Sequence, residues 1–174
     1  LDRVSVMSTM WIGTFLAALD TTMVATVMSQ VGSEFAVSNT VAWLGTSYML
    51  TQMACQPLYG RLSDAFGRRA MTLFASSVFF VGTLSCGLSR TFVQLCIARA
   101  TAGLGGSGLT SLATMVVSDM TRVQARATWQ GLGNVIFAIG AALGGPLGGV
   151  VVDAQWGWRW AFLLQVPLCA AHLL

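Results

Sequence analysis

Two charges stand inside long apolar runs: Asp20 and Arg99 of this 174-residue chain. If those runs cross a bilayer, a charge at mid-depth costs about 2.5–3.5 kcal/mol on insertion scales. Each must then face an opposite charge or a wet cavity. Asp20 lies about 24 Å along a helix counted from Val4, and Arg99 about 10 Å into a helix counted from Phe92. Both depths fall in the outer half of a ~30 Å hydrocarbon core. The two can form a static ion pair, or Asp20 can bind and release a proton while Arg99 tunes it.

A second concentration of charge is Gly60-Arg-Leu-Ser-Asp64-Ala-Phe-Gly67-Arg68-Arg69. Gly60 and Gly67 suit close backbone approach and a sharp turn. Asp64 can cap the helix that follows, where its charge meets the positive dipole end. Arg68 and Arg69 can pair with Asp64 or with Asp119. A third feature is glycine spacing. Gly140, Gly144 and Gly148 form one i, i+4 stripe, and Gly145 with Gly149 a second, with Pro146 between them. Such stripes permit close helix contact, and proline removes one backbone bond. The string Gly103-Leu-Gly105-Gly-Ser-Gly108 has the spacing of a dinucleotide loop. No strand precedes it and no acidic residue follows at the required distance, so packing is the better account. Cys55, Cys86, Cys96 and Cys169 lack metal-like spacing and read as small buried side chains. No catalytic residue, metal site or cofactor is expected. His172 reads as incidental.

These residues need elements to hold them, and composition says which. Charged residues are 9 % and hydrophobic residues 55 % of the chain, where a soluble domain carries roughly 25 % charged. All nine positive charges are arginine. So few ionisable side chains cannot coat a soluble globule. A cytosolic enzyme and a disordered segment are excluded, and so is a nucleic-acid binder, which needs a dense basic patch. The partner is the lipid bilayer. Apolar windows predict six spans, at about 4–28, 39–60, 70–89, 92–118, 128–152 and 159–174, each near the ~20 residues a helix needs to cross. Lipid leaves backbone groups nothing else to bond with, so an all-α integral membrane fold follows.

Arginine bias sets the expected orientation. Arg3, Arg61, Arg68, Arg69, Arg122 and Arg126 fall on one side, Arg90 and Arg159 on the other. The first side reads as cytoplasmic, with the N-terminus there. Trp43, Trp129, Trp156, Trp158 and Trp160 fall near span ends, as an interfacial belt would have them. The stretch from Pro57 recurs from Pro146: Pro57/Pro146, Leu58/Leu147, Gly60/Gly149, Asp64/Asp153 and Ala65/Ala154, then Gly67/Gly157 and Arg69/Arg159 after one insertion. The copies fall at opposite ends of the bundle, which predicts two inverted three-helix repeats of the secondary-transporter kind.

The loop from Gly60 resembles the signature of the major facilitator superfamily, G-x-L-a-D-r-x-G-r-k, at Gly60, Leu62, Asp64, Gly67, Arg68 and Arg69. It departs at Ala65, where the family usually carries a basic residue. Arg99, Gly103 and Gly105 match the family's fourth-span pattern, with Ala102 in place of the usual glutamine. Leu19-Asp20-Thr21-Thr22 is similar to the first span of its fourteen-span drug:proton antiporters. Gly145, Pro146 and Gly149 match the antiporters' fifth-span pattern, with departures at Ala141 and Val150. The look is that of fungal vacuolar basic amino acid transporters and drug exporters.

The resemblance implies the six-helix N-terminal half of the fold, residues 1–174, as a fragment of a longer transporter whose C-terminal half is missing. It implies proton-coupled antiport of a small-molecule substrate, drugs or toxins or basic amino acids, driven by a proton gradient without cofactor. The loop carrying Gly60, Asp64, Gly67, Arg68, Arg69 and Asp119 would gate conformational change. Asp20 and Arg99 would serve the cavity. The membrane would be the plasma or vacuolar membrane. The competing expectation is an inert or regulatory truncated membrane protein without transport activity.

Overall fold

A computed structural model describes residues 3–35, 39–153 and 157–173. The described chain is helical: α1 (Arg3–Glu34), α2 (Trp43–Phe66), α3 (Arg68–Leu88), α4 (Phe92–Met120), α5 (Val123–Asp153), α6 (Arg159–Leu163) and α7 (Val166–Leu173). Among the described residues there is no strand. Segments α6 and α7 are one passage interrupted at Leu164 and Gln165. Pro167 has no N–H to bond the Leu163 carbonyl, so the regular ladder stops there. Bonds from Leu164 to Trp160 and from Cys169 to Gln165, both 2.9 Å, carry the chain across the gap. At the start of α4 the Thr91 side chain accepts from the Gln94 N–H at 3.3 Å, capping an otherwise orphaned donor.

Helices α1, α3, α4 and α5 are long and apolar enough to cross a membrane. In α2 the Gln52, Gln56, Arg61 and Asp64 side chains dilute the apolar run, and α6 and α7 are each too short alone. Leu50, Met53, Phe74, Val81, Val135 and Val150 are exposed. A bundle that turns such side chains outward is built for lipid or for another apolar partner.

The helices run up and down, so one end of the bundle holds Gly67 and the other Gly157. Two three-helix units interlock: α4 packs chiefly on α3 and α2, while α1 packs chiefly on α5. Exchanging α1 with α4 and α2 with α5 turns the α2–α4 contact into the α5–α1 contact, as inverted repeats require. The turns agree. Gly67 has φ 89° and Gly157 φ 80°, and among the described residues no other glycine has positive φ.

Glycines make the tight crossings possible. A methyl at Gly82 would lie 2.5 Å from the Ala102 nitrogen, and one at Gly103 would lie 2.5 Å from the Tyr48 carbonyl oxygen. The string from Gly103 to Gly108 is therefore the contact surface of a buried helix.

The tryptophan belt needs correction. Trp43 and Trp160 are exposed, but Trp158 is wholly buried, and Trp129 stacks on Trp11 with ring centroids 5.7 Å apart. Trp156 lies outside the described residues. Position near a span end does not distinguish an interfacial ring from one turned inward onto aromatic neighbours.

Candidate transport site

Helices α1 and α4 bring Asp20 and Arg99 face to face. Arg99 Nη1 donates to both carboxylate oxygens of Asp20, at 2.7 and 3.0 Å. Side-chain exposure is 0 % for Asp20 and 1 % for Arg99. They are the only buried Asp, Glu or Arg side chains among the described residues. Around the guanidinium stand the Tyr48 ring, 4.3 Å from Cζ to centroid, and the Phe162 ring at 5.9 Å. Both distances allow cation–π attraction. In so dry a setting the pair holds because each charge neutralises the other. His172 lies beside Gly13 of α1, where an added methyl would meet its ring at 3.1 Å.

Further toward the Gly67 end, α1, α4 and α5 line a half-open cavity of about 230 Å³, with neither Asp20 nor Arg99 in its wall. Polar groups line it: Thr14 on α1, Thr110 and Thr114 on α4, Gln130 and Asn134 on α5. Trp11, Trp129 and Phe137 supply its aromatic wall. The Trp11 indole nitrogen is buried, with no acceptor among the described residues. Gly133 leaves room for that ring. Sequence reasoning missed these residues, although a signal existed. Thr110 with Thr114, and Gln130 with Asn134, are i, i+4 polar pairs inside apolar helices, and such pairs share one face.

The charged turn is built differently from expectation. Asp64 does not cap α3; it belongs to the last turn of α2, and the cap position is Gly67, whose geometry provides no side-chain bond. The reason is that α2 continues to Phe66 and the chain reverses on a single glycine. Asp64 instead pairs with Arg68 at 3.0 Å. Arg68 also reaches Asp119 at the end of α4, at 3.1 Å, and contacts Ser63 Oγ and Met115 Sδ. Arg69 is exposed and makes no ion pair among those described. A methyl at Gly60 would meet the Met115 methyl at 3.4 Å, so its neighbourhood is one of ordinary contact.

On α5 the close crossing expected at Gly145 and Pro146 is not made within this chain. Gly140, Gly144 and Gly148 make one instead, against Phe15, Leu19 and Met23 of α1. Methyls at Gly140 and Gly144 would lie 2.7 Å from the carbonyl oxygens of Phe15 and Leu19. Methyls at Gly145 and Gly149 would meet nothing within 4 Å, and Pro146 is exposed.

The opposite turn carries an ion pair that the sequence reading did not single out. Arg159 Nη1 donates to Glu34 at 3.1 Å, and the Trp158 indole donates to the same carboxylate. The missed signal was the repeat itself: Arg159 is the counterpart of the arginines after Gly67, and Glu34 ends α1 as Asp119 nears the end of α4.

Known proteins share this arrangement. The structure superposes on a D-xylose-proton symporter with a TM-score of 0.84 at 18 % identity, over 98 % of this chain and 46 % of that one. The multidrug resistance protein fnx1 of Schizosaccharomyces pombe is 47 % identical over 96 % of this chain and 31 % of its own length. The vacuolar basic amino acid transporter 1 of Saccharomyces cerevisiae is 40 % identical over 97 % of this chain and 30 % of its own length. The chain thus spans about a third of these relatives. The family model described as Major Facilitator Superfamily matches residues 10–174. With its six helical passages, inverted repeats and charged Gly67 turn, this multi-pass membrane chain belongs to the Major Facilitator Superfamily.

Proposed function

We propose that this chain forms the N-terminal half of a proton-coupled antiporter that expels drugs or toxins, or moves basic amino acids, across a vacuolar or plasma membrane. The observation that carries the reading is the Asp20–Arg99 pair. An ionisable residue inside a span is expensive and is by default a functional one. Asp20 is the proton carrier, held by Arg99 until a proton replaces that interaction. The cavity lined by α1, α4 and α5 supplies one wall for the substrate. Its hydroxyls, amides and indoles suit a molecule with both polar and apolar faces. A C-terminal half supplies the opposite wall, and a proton gradient supplies the energy without cofactor. The turn at Gly67, through Asp64, Arg68 and Asp119, acts on the conformational equilibrium, with the N-terminus on the cytoplasmic side. The names of the relatives supply the two substrate classes.

The test is Asp20→Asn in the full-length protein reconstituted in vesicles, assayed with arginine, lysine and a lipophilic cationic dye. Asn keeps an acceptor oxygen for Arg99 but leaves its charge unpaired, so transport is normalised to the folded protein in the vesicles. Accumulation driven by a pH gradient should vanish, while substrate-for-substrate exchange survives. Wild-type dependence on the gradient in this variant would remove the coupling role.

A further inference from the structure

The end of the bundle that holds Gly157 is closed by aromatic rings. Phe35 follows α1, Phe92 opens α4, and Trp158 and Phe162 come from the turn into α6. Ring centroids lie 6.4 Å apart for Phe35 and Phe92, 6.0 Å for Phe35 and Trp158, and 6.1 Å for Trp158 and Phe162. The innermost, Phe162, is the ring beside the Arg99 guanidinium. These rings therefore form a continuous apolar plug between the helix ends and the buried ion pair.

Helix α6 is only five residues long, too short to hold a position by its own hydrogen bonds. Its place is set by its flanks. On one side Gly87 of α3 lets Leu163 approach, so that an added methyl would meet it at 2.9 Å. On the other side Glu34 accepts from Arg159 and from the Trp158 indole. Arg159 also donates to the Ser89 carbonyl oxygen, at 3.4 and 3.5 Å, and its guanidinium lies 4.5 Å over the Trp158 ring. One side chain thus ties α6 to the ends of α1 and α3. The turn related to it by the inverted repeat does likewise, with Arg68 reaching Asp119.

We propose that Glu34, Trp158 and Arg159 form a latch that holds the aromatic plug shut over Asp20 and Arg99, and that opening it admits water to the ion pair from the Gly157 end. The plug is apolar and the latch is charged and half-exposed, with Arg159 40 % and Glu34 42 % accessible. Water can therefore compete for the latch while the plug stays dry, which makes the latch the part that yields first. The gating role rests on the proposed transport function; the seal itself does not.

Cys86 reports the seal. It is wholly buried in the same cluster as Trp158 and Phe162. In the full-length protein with Cys86 as the sole cysteine, a charged methanethiosulfonate is applied to both sides of permeabilised membranes. Glu34→Gln and Arg159→Gln should each raise the labelling rate about tenfold, and the double variant should fall well short of the product of the two effects, because both remove the Glu34–Arg159 pair. Unchanged labelling in either single variant overturns the latch. So does a double variant that multiplies the two effects, since that is independent loosening. A second background with Cys55 alone, half-buried midway along α2 in the separate cluster of Tyr59 and Met71, should label at the wild-type rate. If that rate rises too, Arg159→Lys decides the matter: it keeps the charge and loses the fork spanning Glu34 and Ser89, and wild-type protection of Cys86 in it overturns the proposal. Loss of proton coupling in Asp20→Asn is read by transport, and failure of one experiment leaves the other intact.

Discussion

Asp20 and Arg99 are separated from the other ion pairs by what surrounds them. Arg68 keeps 33 % of its side chain exposed, and its partners Asp64 and Asp119 keep 70 % and 55 %. Water and salt screen such contacts, which are typically worth about 0–1 kcal/mol. Arg99 and Asp20 have no such solvent. Removing one partner leaves the other charged and dry, at a cost of about 3–5 kcal/mol. Arg99→Leu should therefore melt far below the wild type in detergent, and Arg68→Gln close to it. Thermal unfolding followed by a thiol-reactive dye at the buried Cys86 and Cys169 measures both. Equal shifts would mean that the interior pair is hydrated. Both charges were legible in the sequence, because no other feature of an apolar helix draws the eye to an aspartate or arginine. Their pairing was legible only as an option, since depth along two helices says nothing of which faces meet.

Helix α5 shows what spacing can and cannot say about an element. Both glycine stripes were visible as i, i+4 series, and both have the small residues that close crossings need. Only one of them meets another helix here. A methyl at Gly144 would press on the Leu19 carbonyl oxygen at 2.7 Å and on Thr22, whereas Gly145 faces open space. Gly144→Ala should then destabilise the bundle by about 1–3 kcal/mol, as overpacking does elsewhere. Gly145→Ala should stay within about 0.5 kcal/mol. Melting of the two purified variants checks the contrast, and a Gly145→Ala protein as unstable as Gly144→Ala would place a partner against the second stripe. The polar face of the cavity belongs to the same scale. Thr110, Thr114, Gln130 and Asn134 were readable as pairs, but their convergence depends on α4 and α5 flanking α1 at that level.

At the scale of the whole molecule the organising fact is inversion. Each unit turns between its second and third helices on a left-handed glycine, and an arginine just past each turn reaches an acid at the end of the other unit's first helix. Gly67 has φ 89° and ψ 148°, a region where a side chain costs about 1–3 kcal/mol. Gly67→Ala and Gly157→Ala should both lower the melting temperature by comparable amounts, although neither glycine has a neighbour that a methyl would touch. A shift in one and not the other would show that the two turns are not equivalent in stability. Inversion also explains why the two kinds of end differ in use. The Gly67 turn is polar and exposed, and the Gly157 turn is backed by buried rings.

The sequence by itself determined the class, the passages and the repeat. Each rests on local quantities: apolar length, the position of charges, and a motif recurring at opposite ends. The location of Asp20 and Arg99 inside spans follows from the same counting. Tertiary structure alone decided which helix faces meet. It seated Gly140, Gly144 and Gly148 on α1 and turned Gly145 and Gly149 away. It moved Asp64 from a cap to an ion pair, took Trp158 from the interface into the core, and joined Glu34 to Arg159 across most of the chain. Such contacts depend on the rotation of each helix about its axis, and that rotation is settled only when all neighbours pack at once.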